Sequence, residues 1–92
     1  GDTSLFRELL ESASTDMPAA VHRLQLSVDA GRFEHSRQIA EDLHDAAADL
    51  GAVHVAEAAA RAARHAAEAD AEGLGDAVEQ LRKELRRLLP LA

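Results

Sequence analysis

The sequence predicts an all-α protein: an antiparallel up-down four-helix bundle with a short extra helix at its N-terminus. Three observations carry this expectation. Alanine fills 21 of 92 positions and leucine 13, while the chain holds two Phe and neither Trp nor Tyr. Ala and Leu lose little on entering a helix, whereas strands favour β-branched and aromatic residues. Apolar residues then recur at helical spacing along nearly the whole chain. Glycines and a proline separate these stretches by short links, which favour antiparallel neighbours. Residues 1–92 are read as one domain with a modest leucine core, alanines letting the helices approach closely.

The first apolar group, Leu5, Phe6, Leu9, Leu10 and Ala13, has the spacing of one face of a short helix. "STDMP" (residues 14–18) interrupts it, with Asp16 as N-cap and Pro18 in the first turn of the next helix. The alternative is a single helix that runs on with a bend, because a proline disfavours helix only locally. Met17, Val21, Leu24 and Val28 make the next stripe, and Gly31 stops it. A further helix spans about Glu34 to Leu50, with Ile39, Leu43, Ala46, Ala47 and Leu50 inward and Gly51 as its stop. At 100° per residue, Arg37, Glu41, Asp45 and Ala48 fall on its opposite side, with His44 at the border.

The next helix, roughly Val53 to Ala71, turns Val55, Ala59, Ala62, Ala66 and Ala69 inward. Its outer side carries Glu57, Arg61, Arg64 and Glu68, spaced for the pairs Glu57–Arg61 and Arg64–Glu68. "EGLGD" (residues 72–76) reads as the next break. The last helix carries Leu74, Val78, Leu81, Leu85 and Leu88 and ends at Pro90. Arg82, Lys83, Arg86 and Arg87 suit the negative end of its dipole. The expected core is Leu24, Val28, Ile39, Leu43, Leu50, Leu81 and Leu85.

Composition narrows the function. Seventeen acids against ten Lys and Arg give a formal charge of −7, which makes nucleic acid and anionic membranes poor partners. Without cysteine there is no disulfide, zinc–thiolate or thiol chemistry. No apolar run approaches the roughly 20 residues that a bilayer requires, and no signal peptide is visible.

The informative segment is "AEDLHDAAADLGA", residues 40–52. It resembles the signature of the histidine-phosphotransfer (HPt) domains of bacterial phosphorelays, Ala-His-x-Leu-Lys-Gly-Ser-Ala followed by Leu-Gly-Ala. Here the segment runs Ala40, Glu41, Asp42, Leu43, His44, Asp45, Ala46, Ala47, with Leu50-Gly51-Ala52 at the matching distance. "DAGRFEHSRQIA" before it resembles the family's turn into the active helix, and Gly75-Asp76 its last interhelical turn. The resemblance covers nearly the whole chain. It implies a cytoplasmic four-helix bundle that shuttles phosphate between receiver domains, while the opening Gly-Asp-Thr-Ser without methionine suggests a domain cut from a larger protein.

The departures lie at the chemistry. Glu41 occupies the phosphoacceptor position, and a carboxylate has no imidazole nitrogen to form a phosphoramidate. The family's phosphate-neutralising lysine is replaced by His44, and the glycine that leaves room for a receiver by Asp45. The expectation is therefore a degenerate HPt-like interaction module, not an enzyme and without cofactor. It presents Arg37, Glu41, His44, Asp45 and Ala48 to a receiver or to a domain of its parent protein. Two other readings stand beside it: an active carrier that uses His44, oriented by Glu41, and a purely structural or oligomerising bundle.

The bland reading of Glu41, Asp42, Asp45 and Asp49 is a solvated helix face, and His22, His35, His54 and His65 read as surface histidines. Glu41 and His44 also match the Glu-x-x-His spacing of di-iron bundles. A second such pair is missing, because His54/Glu57 and His65/Glu68 run in reverse order, so no metal is expected.

Overall fold

The computed structural model describes the backbone of residues 2–88 and the side chains of residues 16–88. Four helices account for it: α1 (Asp2–Asp29), α2 (Phe33–Asp49), α3 (Val53–Ala67) and α4 (Ala71–Leu88). They pack in a ring, α1 against α2 and α4, and α3 against the same two. The core runs along the ring's centre. Met17, Val21 and Leu24 come from α1, Ile39, Ala40, Leu43 and Ala47 from α2, and Leu74, Ala77, Val78, Leu81 and Leu85 from α4. From α3 it receives Val55 and five alanines at positions 56, 58, 59, 62 and 66, whose small side chains let α2 and α4 come close.

Of the seven residues expected in the core, Leu24, Ile39, Leu43, Leu81 and Leu85 are buried, whereas Val28 and Leu50 are half-buried against its edge. Ala46 and Ala69, expected inward, are exposed, and Leu88 is 36% exposed at the end of its stripe. The side chains of Leu5, Phe6, Leu9, Leu10 and Ala13, and the expected stop at Pro90, lie outside the described residues.

At the N-terminal segment the structure takes the second of the two sequence readings, the single helix, and overturns the first. A short helix followed by a break at residues 14–18 does not occur; one helix runs from Asp2 to Asp29 with Pro18 inside it. Asp16 is therefore a helix-interior residue and not an N-cap. Pro18 has no N–H for the carbonyl four residues earlier, a defect that costs roughly 3 kcal/mol in a helix interior. Burial of Met17, Val21 and Leu24 on the same helix offsets it. Pro18 is itself exposed, so Pro18→Ala is expected to raise the unfolding free energy by up to about 3 kcal/mol. Two helices with the proline in a first turn would show no gain in the same denaturation experiment.

The three links share one closure. Gly31 sits at φ +71° and Gly51 at φ +73°, the left-handed conformation that ends a helix without steric penalty. Arg32 N–H returns to the Ser27 carbonyl at 3.0 Å and Ala52 N–H to Ala47 at 2.9 Å. At the third link Asp70 N–H returns to His65 at 2.9 Å, but the left-handed residue is Ala69, at φ +54°. A Cβ there costs about 1–2 kcal/mol. Ala69→Gly is thus expected to stabilise the fold by about 1 kcal/mol, read as a higher denaturation midpoint at unchanged slope.

This link also relocates the last break. Residues 68–70 make the turn, and the glycines of residues 72–76 lie within α4. Gly75-Asp76 is accordingly helical and not an interhelical turn. The physical reason is Asp70, whose carboxylate accepts the Gly73 N–H at 3.0 Å and whose carbonyl accepts that of Leu74 at 2.9 Å, so the helix starts ahead of both glycines.

Candidate functional site: the outer face of α2

Ile39, Ala40, Leu43 and Ala47 pin one side of α2 into the core. The helical period then fixes where the other residues of the motif stand. Glu41, Asp45 and Ala48 are exposed, and Arg37 is partly covered beside them. The structure brings all four together on one outward strip, where the sequence places them. His44 lies at the strip's edge, half-buried, and shares a shallow groove of about 350 Å³ with Glu41, Asp45 and, from α3, Ala60 and Ala63.

The charges on this strip are organised by Arg37. Its guanidinium holds Glu34 one turn before it and Glu41 one turn after, the latter at 2.8 Å. The pairing lowers the Glu34 carboxyl below the usual range, chiefly through the hydrogen bond from Arg37, and raises the guanidinium further still. All three groups face solvent, so the cluster orients side chains more than it stabilises the fold. Glu41 therefore does not orient His44, as the alternative acceptor scheme expects. His44 Nδ1 lies 3.3 Å from the neighbouring Asp45 carboxylate instead.

Asp45 is the strip's most open carboxylate, its side chain 78% exposed against 52% for Glu41. Glu57, Arg61 and Arg64 on α3, and Glu68 in the turn just after it, are exposed. Among the described residues, however, neither Glu57–Arg61 nor Arg64–Glu68 forms an ion pair. No three His, Asp or Glu side chains converge as metal ligands among the described residues. No described helix is long and apolar enough to cross a membrane.

Three polar features escape a sequence reading. Ser27 and Ser36 are buried at the α1–α2 turn, their hydroxyls sharing a hydrogen bond at 2.8 Å, with the Arg32 carbonyl in reach as acceptor for the proton that remains. Glu84 is buried on α4, accepting from Gln80 at 2.9 Å and Arg87 at 3.3 Å. His65 meets Asp70 at the α3–α4 turn. Only the last had a signal, an Asp three residues before a helical glycine. The serines look like ordinary helix-surface residues until α1 and α2 close over them.

Fold and site together define a four-helix bundle with a polar, outward strip on one helix. No protein-family model, curated protein or solved structure matches the chain.

Proposed function

We propose that this chain is a degenerate HPt-like protein-interaction module of two-component signalling. In this reading it is an antiparallel up-down bundle that docks a protein through α2 and carries no phosphoryl group of its own. The observation that supports the reading is Glu41, exposed midway along α2 with Arg37, Asp45 and Ala48 around it, while Leu43 and Gly51 keep the motif's register. The domain works without a cofactor, acts in the cytoplasm, and is not an enzyme. Its partner is a receiver domain or another domain of its parent protein.

Glu41 stands where a phosphorylated side chain would carry charge, but Arg37 already balances it. The charge left to a partner is mainly that of Asp45. A receiver's acidic pocket would meet it unfavourably, so the matching partner surface offers a cation at that point.

The test is capture of purified receiver domains, and of the other domains of the parent chain, by wild type and two variants. For a partner that offers a cation at Asp45, Glu41→Lys or Asp45→Lys should weaken capture by about tenfold or more with helix content unchanged, whereas a receiver that meets Asp45 with its acidic pocket should bind Asp45→Lys more tightly. A charge reversed inside a desolvated contact costs more than the roughly 0–1 kcal/mol of a surface pair. Equal binding by both variants would move the interface, the alanine-rich α3 being the next place to look. A domain that binds only copies of itself would be a structural bundle.

A further inference from the structure

The α3–α4 turn holds a contact that the α2 face does not use. Asp70 divides its carboxylate between two helices: Oδ1 accepts the Gly73 N–H of α4 at 3.0 Å, and Oδ2 lies 3.1 Å from Nδ1 of His65, in the last turn of α3. The backbone closes the same ring, because Asp70 N–H donates to the His65 carbonyl and Leu74 N–H to that of Asp70, each at 2.9 Å. Gly73 is what makes room. A Cβ there would collide with Asp70 Oδ2 and His65 Nδ1. Immediately beyond, Leu74 is fully buried and anchors α4 in the core, while Ala69 holds the strained left-handed conformation.

We propose that His65, Asp70 and Gly73 form a clasp that locks the first turn of α4 to the end of α3 and holds His65 as its Nδ1–H tautomer. A carboxylate oxygen only accepts, so Nδ1 must carry the proton. Both the neutral Nδ1–H ring and the imidazolium satisfy this. The contact is strongest while Asp70 is ionised and weakens when its carboxyl takes up a proton. The charged groups sharing His65's groove are Arg61 from α3 and Asp76 from α4. Among the described residues neither forms an ion pair with the ring, whose partner is Asp70.

The sign follows from the carboxylate. The Gly73 N–H, and next His65, hold the Asp70 carboxyl below its ordinary 3.8. Between the lowered value and 3.8 the unfolded chain binds more protons than the folded one, so stability there rises with pH. The clasp's contribution is complete above that range and is lost as pH falls through the lowered value.

Nitrogen-15 NMR of the imidazole rings and amide hydrogen exchange test this in the intact chain. In wild type at pH 8, His65 should show a protonated Nδ1 and a bare Nε2, and Gly73 should be a protected amide. Asp70→Ala should return His65 to the Nε2–H form usual in water and lower Gly73 protection by about tenfold or more, the scale of a local opening. Gly73→Ala should do the same to His65, since its Cβ displaces the ring. His65→Gln retains a donor and should keep more Gly73 protection than His65→Ala. An Nε2–H tautomer in wild type would overturn the clasp, as would Gly73 protection indifferent to Asp70→Ala. The tautomer is a local readout, so it decides the question under native conditions even in a variant of lower overall stability.

Discussion

Leu43→Ala is expected to lower the unfolding free energy by about 2–5 kcal/mol. Leu43 is 3% exposed and belongs to the inner stripe of α2 with Ile39, Ala40 and Ala47. Removing its isobutyl group takes away apolar burial and leaves a void. How much of that void closes decides where in the range the value falls. Helix α3, the neighbour α2 meets most extensively, buries five alanines. A methyl group has no alternative rotamer with which to fill space, so the upper half of the range is expected. A domain of this length has a net stability of roughly 5–14 kcal/mol, so the variant should lose a substantial share of it. Denaturant unfolding at unchanged slope is the measurement. A loss below about 0.5 kcal/mol would mean that Leu43 is not a core residue. The alignment of residues 40–52 with the phosphotransfer motif would fall with it.

The second large effect concerns phosphate, and it tests the degenerate reading directly. Wild type should gain no acid-labile phosphate from any phosphorylated receiver, because Glu41 has no imidazole and Asp45 opposes a receiver's acids. Glu41→His alone should restore little, since the new ring still stands beside Asp45. The triple change Glu41→His, His44→Lys, Asp45→Gly should restore the most. It supplies the acceptor nitrogen, a cation for the phosphoryl group and room for the partner. Arg37, released from Glu41, then lies one turn away as a second cation. The glycine should cost about 1 kcal/mol of stability in the helix interior. Phosphate uptake by wild type that disappears in His44→Ala would replace this account with the shifted acceptor.

The α2 strip was legible in the sequence because every residue that positions it is local to one helix. Leu43 inward and Glu41 outward follow from the same period, and the flanking turns at Gly31 and Gly51 are announced by residues that take positive φ freely. Pairing between charges was not legible. Glu41 has two neighbours within one turn, Arg37 and His44, and spacing alone does not say which it takes. The structure gives it to Arg37 and leaves His44 with Asp45. The α3–α4 turn was misread for a related reason. Glycine marks a break only when no stronger signal precedes it, and here the Asp70 cap starts the helix first.

By itself, then, the sequence determined that the chain is helical, that Leu24, Ile39, Leu43, Leu81 and Leu85 face inward, and where the first two glycine turns fall. These are matters of backbone propensity and of a 3.6-residue period, both decided within a few residues. Tertiary structure alone decided that α1 runs through Pro18, that Ala69 takes a glycine's conformation, and that Ser27, Ser36 and Glu84 are buried. Each of these is locally unfavourable. A local penalty of about 1–3 kcal/mol is outweighed only when distant segments bury apolar surface together, and no window of sequence shows which segments those are.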